Sequence, residues 1–196
     1  MTKYLLFCWL VLACISLNAQ SFEGIIETHQ VTGDRVEYDL TWYIKGDKIA
    51  YELKSTSQER MRFVPQVASN SMLMVTGDNK TSIPVSDISS PSNFSMEGAT
   101  LSGKGRGGCP HFKAVEQWQL STKDVVAMVE VTTDVSINLS KYKEFFKAHH
   151  GLCALAASGK AGFPLNSIVK DKNGKLLCKT TVTNVKRMPV ADSYFN

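Results

Sequence analysis

The chain has 196 residues, of which 22 are Lys or Arg and 18 are Asp or Glu, so its formal net charge is +4. Acidic residues are interleaved with basic ones, which excludes the basic stripe that nucleic-acid-binding proteins need. Without the leader peptide that its first residues predict, roughly 175 residues remain, enough for the core of one domain and too few for two ordinary domains.

The first residues have the three-part layout of a bacterial secretory signal. One positive charge, Lys3, precedes the apolar run Tyr4–Ile15, and small and polar residues follow at 16–20. This run is too short to span a membrane comfortably, and polar, strand-like sequence comes directly after it. We therefore expect residues 1–19 to be a cleaved signal peptide and residues 20–196 to form a single soluble domain in the periplasm.

A second interpretation of the leader is a lipoprotein signal. Val11–Cys14 has the outline of a lipobox, in which Cys14 would become the acylated first residue of a membrane-anchored protein. Two features argue against a lipoprotein signal. The apolar run continues through Ile15, whereas a lipidated cysteine is usually followed by a polar tether. Leu12 is also bulkier than the small residues that usually stand two places before such a cysteine. Cleavage after Ala19 satisfies the small-residue rule and is the interpretation that we favour.

The N-terminal half predicts antiparallel strands with one buried face. Apolar and polar residues alternate over Val36–Ile44 and again over Ile49–Lys54, and the intervening Gly46-Asp47 suits a two-residue hairpin turn. Further short strands are expected at 60–67, 72–75 and 81–85. The first two strands should pair, with one face shared by Tyr38, Leu40, Trp42, Tyr51 and Leu53.

The next part of the chain is less regular. Residues 86–108 are rich in Ser, Asn, Gly and Pro, which predicts a surface loop carrying one irregular strand. Strand character returns over His111–Leu120. The following Ser121–Asp124 has the form of a helix capping box, but Val125–Val131 is rich in β-branched residues, so its pattern does not decide between helix and strand.

One short amphipathic helix is predicted in the C-terminal part. Leu139, Tyr142, Phe145 and Phe146 recur at helical spacing, and Gly151 is placed to end the last turn. A closing hairpin is then expected between strands at 163–170 and 175–186, because Asn173-Gly174 favours a tight turn. The predicted fold is mainly β, a curved antiparallel sheet with one or two helices packed on one face.

A nucleotide-binding motif is nearly spelled out but is not expected to function. Gly98, Gly103 and Lys104 have the spacing of a phosphate-binding P-loop, yet Gly105 stands where a hydroxyl residue should bind magnesium. The glycine-rich sequence that follows cannot form the helix whose N-terminus holds the phosphates. We expect a flexible loop here and no nucleotide.

No residue pattern indicates an enzyme or a metal site. His149 and His150 are adjacent, so on a helix their side chains would point about 100° apart and could not grip one metal together. No serine, histidine and acid combination occurs at a recognisable spacing. We therefore expect a non-enzymatic protein with no cofactor and no metal.

Three cysteines would survive removal of the leader: Cys109, Cys153 and Cys178. An exported protein favours disulfides, and three cysteines allow one intramolecular bridge with three possible pairings. Cys153 and Cys178 are the slightly favoured pair, because the helix end and the final hairpin are expected to be neighbours. Cys109 would then be the free thiol.

Several short motifs resemble the domain-of-unknown-function family 4412, a family of exported bacterial proteins. They are the opening Ser21–Ile26, the hairpin Tyr43–Lys48, Gly108-Cys109 with Trp118, Thr122–Asp124, and Gly162–Leu165. The resemblance implies a fold like the periplasmic lipoprotein carriers LolA and LolB, an open half-barrel whose concave side is closed by helices around a hydrophobic cavity. The chain departs from the family's pattern at Asp192–Asn196, which predicts a short or frayed final strand.

These patterns predict a periplasmic binder or carrier of a hydrophobic ligand, such as an acyl chain, a lipid or a lipidated peptide. The alternative is an envelope structural or interaction protein that has a solidly packed half-barrel, binds another envelope protein, and acts through the 86–108 loop. Neither the residues nor the resemblance supplies catalytic residues. In the carrier, the expected cavity lining is Tyr38, Leu40, Trp42, Tyr51, Leu53, Phe63, Met72, Met74, Phe145 and Phe146.

The leader prediction is tested by the mass of the secreted protein. We expect an N-terminus at Gln20, because Ala19 satisfies the small-residue rule for cleavage. Intact-mass spectrometry of protein from the cell envelope distinguishes this product from a lipid-modified chain beginning at Cys14. A mass that retains Met1 would contradict both interpretations.

Overall fold

The computed structural model describes residues 22–54, 60–88, 96, 98–146, 149–157, 159 and 161–196. The side chains of residues 150, 153, 154 and 157 lie outside this description, as does the predicted leader with Cys14. All statements below concern the described part of the chain.

The described residues form one open antiparallel sheet of 11 strands, half-barrel-like in form, in the order β6-β5-β4-β3-β2-β1-β11-β10-β9-β8-β7. Consecutive strands pair with each other except β6 and β7, which lie at the two edges of the sheet. β1 also pairs with β11, and this pairing joins two meanders, β1–β6 and β7–β11. The strands are β1 (Glu23–Thr32), β2 (Glu37–Lys45), β3 (Lys48–Lys54), β4 (Met61–Gln66), β5 (Ser71–Thr76), β6 (Asn79–Pro84), β7 (Thr100–Arg106), β8 (Val115–Ser121), β9 (Val125–Thr132), β10 (Phe163–Asp171) and β11 (Leu176–Arg187).

Helical structure is sparse in the described residues. The α-helix α1 spans His150–Ala157, and short 3₁₀ turns lie at Val67–Ser69, Val85–Asp87, Leu139–Tyr142 and Asp192–Phe195. None of the described helices has the length and apolar character needed to cross a membrane. The prediction of a mainly β fold built on an antiparallel sheet is confirmed.

The two-residue period sorts the side chains onto two faces, which we name the Trp42 face and the Tyr43 face. In the register of β2 and β3, Trp42 lies opposite Tyr51, and Leu40 lies opposite Leu53. Between the strands Gly46 has φ +56°, the positive value that the tight turn requires. The predicted first hairpin and its shared apolar face are therefore confirmed. The Trp42 face carries the main core, whereas a smaller cluster around Tyr43 lies on the opposite face.

The smaller cluster is covered by residues 188–196, which we call the C-terminal segment. Its Tyr194 ring stacks on Tyr43 with centroids 4.2 Å apart, and Val190 and Phe195 are buried beside them. Lys45 Nζ donates to the carbonyl of Val190 over 3.1 Å. The prediction of a short or frayed final strand is wrong, because β11 is the longest strand and the segment after it packs on β2 and β3.

The predicted aromatic helix is wrong in its position. Leu139–Tyr142 forms a 3₁₀ turn, and α1 begins at His150, close to where the predicted helix was to end. The neighbouring rings of Phe145 and Phe146 are both buried, at 3% and 0% exposure, whereas adjacent residues on an α-helix point about 100° apart. The alanine- and leucine-rich sequence that follows has the higher helix propensity, and it forms α1.

Within the described residues of the 86–108 region, which are 86–88, 96 and 98–108, the structure contains the irregular strand that was predicted. It is β7, an edge strand whose register shifts between Leu101 and Gly103. The glycines of the P-loop-like sequence thus lie in and beside a strand rather than between a strand and a helix. Not all of this region is a surface loop, because Met96 and Ala99 are buried in the main core. The capping box at 121–124 belongs to a hairpin turn, where Thr122 Oγ1 accepts from the backbone N–H of Val125.

The C-terminal segment should stabilise the fold measurably. We expect Phe195→Ala to lower the free energy of unfolding by about 3 kcal/mol, because it removes a buried ring and leaves a void beside Tyr43 and Val64. Met188→Ala is a matched control, since Met188 lies in the same segment and is 45% exposed. Urea unfolding of both variants measures the difference, and equal, small losses would contradict the packing role of Phe195.

Candidate ligand-binding face

Aromatic rings cluster on the Trp42 face. The Trp42 ring lies 5.0 Å from that of Tyr51, 6.0 Å from Phe146, 5.1 Å from His149 and 5.9 Å from Phe163, measured between centroids. Most of these contacts are edge-to-face, the arrangement that the ring quadrupoles favour. The cluster joins the sheet to residues 139–146 and to His149, so this segment packs directly on the Trp42 face.

The segment is held in place by the β2–β3 turn. Lys141 Nζ forms a 2.8 Å ion pair with the Asp47 carboxylate, and the Tyr142 hydroxyl donates to the Asp47 carbonyl. At its start, the Asn138 side chain accepts from the backbone N–H of Ser140 over 3.2 Å. These bonds fix where the rings of Phe145 and Phe146 enter the core.

Beyond the aromatic cluster the Trp42 face is only partly covered. In register, Leu53 lies opposite Met61, and Phe63 lies opposite Met74. These side chains are half-buried and continue the apolar face from β2 toward the β6 edge. We call this set the half-buried strip; it consists of Tyr38, Leu53, Met61, Phe63, Met74 and Ile83.

The predicted lining residues therefore divide into two groups. Six of them are buried in the main core, and four lie in the half-buried strip. The strip residues among them are Tyr38, Leu53, Phe63 and Met74, and the buried ones are Leu40, Trp42, Tyr51, Met72, Phe145 and Phe146.

A cavity of about 30 Å³ lies under the aromatic cluster, between the sheet and α1. Its apolar walls include Leu40, Leu152 and Phe163. The rest of the lining is polar and includes a group that we call the polar floor: Thr28, Gln30, Ser167 and Thr180. The volume is about that of one water molecule, so this cavity is too small to enclose an acyl chain.

The polar floor is the feature that sequence reasoning missed. Thr28, Gln30 and Ser167 are 2%, 3% and 4% exposed, although each stands at an inward position of a strand otherwise lined by apolar residues. The signal was present as a polar residue at every second position from Thr28. A strand whose inward positions turn polar ordinarily leaves the core, so this pattern alone does not indicate buried side chains.

The Tyr43 face carries a larger groove of a different character. It has a volume of about 470 Å³ and is lined mainly by polar and charged side chains. Its carboxylates are engaged: Glu27 accepts from Asn184 over 3.0 Å, and Glu52 accepts from the Tyr43 hydroxyl over 3.0 Å. The hydrogen bond from Asn184 lowers the pKa of Glu27. This groove is unsuited to an apolar ligand.

The phenols of Tyr38 and Tyr51 on the Trp42 face are held neutral. Burial raises the pKa values of Tyr38 and Tyr51 well above the usual range, so both phenols stay protonated at physiological pH. Within the part of the chain that the structure describes, no three His, Cys, Asp or Glu side chains come close enough together to hold a metal ion.

The cysteines do not follow the predicted pairing. Cys178 is a buried free thiol in the structure, so the Cys153–Cys178 disulfide is not formed there; Cys109 is free and buried as well. The side chain of Cys153 lies outside the described residues; Gly151 of the same helix lies over Pro164 and Ser167 of β10. Cys178 instead lies opposite Val169 in the register of β10 and β11, further along the hairpin.

No protein-family model matches the chain, and no curated protein matches it. Solved structures do match. One of them is the crystal structure of an uncharacterized conserved protein from Thermus thermophilus, which is 13% identical in sequence with a TM-score of 0.47. The match covers 96% of this chain and 91% of that chain.

The buried thiol makes stability depend on alkaline pH. Burial raises the pKa of Cys178 to about 11 from an ordinary value of 9.0, so folding disfavours the thiolate. The stabilisation is complete below pH 9 and is lost as the pH rises through 11. Between pH 8 and pH 10, we expect the thiol to account for a loss of about 1 kcal/mol in the free energy of unfolding.

Urea unfolding of wild type and Cys178→Ala at both pH values measures this contribution. The variant should lose less stability than the wild type on going from pH 8 to pH 10, whatever its stability at pH 8. An identical loss in the two proteins would show that the Cys178 thiol is not the group responsible.

Proposed function

We propose that the protein is an exported, non-enzymatic binder of a hydrophobic ligand, such as an acyl chain, a lipid or a lipidated peptide, which it binds on the Trp42 face. The proposal includes membership of the domain-of-unknown-function family 4412 and a half-barrel of the LolA type with its helix on the concave side. The predicted signal peptide supports the periplasm as its location.

The half-buried strip is the observation that carries this proposal. Its six apolar side chains come from five neighbouring strands and lie on one face, continuous with the buried aromatic cluster. A contiguous apolar surface that remains accessible on a folded protein commonly marks a binding site. Each methylene of an acyl chain buried there contributes about 0.8 kcal/mol, enough to offset the cost of ordering the chain.

A second candidate function is an envelope interaction protein with a solidly packed core. The close packing of Trp42 against four aromatic rings and the 30 Å³ cavity beneath it favour this alternative. Mass spectrometry of an organic extract of protein purified from its native envelope separates the two. A lipid present in the extract in a stoichiometric amount supports a ligand-binding protein. An extract without lipid supports the envelope interaction protein.

Ligand binding should depend on the strip more than stability does. We expect Phe63→Ala to weaken binding of a fluorescent acyl chain at least tenfold, because the ring is a large part of the accessible apolar surface. The cost in unfolding free energy should stay near 1 kcal/mol, since the side chain is only half-buried. Fluorescence titration and thermal unfolding measure the two effects.

Ile168→Ala is the matched control for this prediction. Ile168 is an apolar residue of β10 that is 41% exposed and faces away from its buried neighbour Val169. Its replacement should leave the affinity unchanged. Equal affinities for the wild type and both variants would contradict binding at the strip.

A further inference from the structure

The polar floor is an unusual feature of an apolar face. Thr28, Gln30 and Ser167 are at least nine-tenths buried, and with Thr180 they come from β1, β10 and β11. Thr180 lies opposite Gln30 in the pairing of β11 with β1, and opposite Ser167 in the pairing of β11 with β10. The four side chains therefore form one continuous polar patch across three strands. Burying polar groups in this way costs free energy unless they find hydrogen-bond partners.

Part of the hydrogen-bonding capacity of the floor is used internally. Trp42 Nε1 donates to Thr28 Oγ1 over 3.2 Å, and Thr180 Oγ1 donates to Gln30 Oε1 over 3.4 Å. Gln30 also donates to the Tyr38 hydroxyl. Thr28 uses its oxygen as an acceptor toward Trp42, which leaves its own O–H to donate. Ser167 adds a second hydroxyl at the cavity wall.

The cavity above these hydroxyls is small; the imidazole of His149 lines it, but no lysine, arginine or carboxylate does. At about 30 Å³ it has room for one polar atom of about the size of a water molecule, such as a carbonyl oxygen. Hydroxyl donors in surroundings without a carboxylate suit an oxygen that accepts hydrogen bonds. The absence of a guanidinium or ammonium group from the lining favours an oxygen without a full charge.

Gly151 keeps this space open. A Cβ atom at Gly151 would lie 3.5 Å from Ser167 Oγ and 3.5 Å from the Cβ of Pro164, so even a methyl group would occupy part of the cavity. Glycine near the start of a helix is less favourable than alanine by up to about 1 kcal/mol. The cavity thus exists at some cost in helix propensity.

We propose that the polar floor binds the carbonyl oxygen of an acyl chain whose hydrocarbon part lies on the half-buried strip. The inference rests on the proposed function and specifies the chemistry of the ligand's polar end. The two regions adjoin, because Leu40 lines the cavity and its cross-strand neighbour Leu53 belongs to the strip. Tyr38, also in the strip, is bonded to Gln30 of the floor. Both a free fatty acid and an acyl ester carry such a carbonyl.

Three ligands with the same hydrocarbon length test the proposal: methyl dodecanoate, dodecanoic acid and dodecane. Each is titrated against the full chain carrying a neutral fluorescent dye, N-phenyl-1-naphthylamine, and the displacement gives its affinity. We expect the wild type to bind the ester roughly fivefold to tenfold more tightly than dodecane, the advantage of one or two hydrogen bonds. If methyl dodecanoate binds more tightly than dodecanoic acid, the ligand is identified as an acyl ester. If dodecanoic acid binds more tightly, the ligand is identified as a fatty acid.

Two variants should remove the preference for the carbonyl. Ser167→Ala deletes a donor, and Gly151→Ala fills the cavity while leaving the fold at least as stable. In both, the ester and dodecane should bind with equal affinity. Thr181→Val is the control, because Thr181 is an exposed residue of β11 next to Thr180 that pairs with His29 on the opposite face. It should keep the full preference.

The outcomes separate this inference from the proposed function. The polar floor is overturned as a carbonyl site if the wild type binds the ester and dodecane with equal affinity. It is also overturned if Ser167→Ala and Gly151→Ala both keep the wild-type preference for the ester. Either result leaves the proposal of hydrocarbon binding intact. If neither the dye nor any of the three ligands binds the wild type, both proposals are overturned.

Discussion

The pairing of β1 with β11 is the interaction on which the rest of the structure depends. It joins the meander β1–β6 to the meander β7–β11, and without it the described residues would form two sheets rather than one. The pairing runs from Gly24, opposite Arg187, to Thr32, opposite Cys178. The main core takes residues from both meanders, whereas the smaller cluster combines residues of β1–β5 with the C-terminal segment that follows β11.

The same junction places polar side chains in the core. Thr28 and Gln30 belong to β1, and Thr180 belongs to β11, so the polar floor comes together only when these two strands pair. On the opposite face, Glu27 accepts hydrogen bonds from Asn184 and Lys186 across the same pair of strands. Hydrogen bonds between side chains thus reinforce the backbone ladder on both faces. Such bonds specify one register, because a slip by one residue would exchange the two faces.

Much of the sheet could be predicted from local pattern, and the reasons are visible in particular residues. Neighbours in the sequence decide the turn at Gly46-Asp47 and the alternation around Trp42, so the predictions of both features are confirmed. The position of α1 was missed because two adjacent phenylalanines suggested a helical face, whereas the tertiary fold buries both rings in a turn. The C-terminal segment was missed because its partners, Tyr43 and Lys45, are distant in sequence. The polar floor depends on the pairing of β1 with β11, which are also distant in sequence, so periodicity alone could not reveal it.

The junction also has a consequence for how the chain acquires its fold. The carboxylate of Glu23 accepts a hydrogen bond from the backbone N–H of Val190, 167 residues further along the chain. Contacts of such long sequence separation are entropically costly to close and slow the search for the native state. Until β11 has emerged, β1 presents an unpaired edge to other chains, with the attendant hazard of intermolecular association. Folding of this sheet is therefore completed only after nearly the whole polypeptide has been delivered.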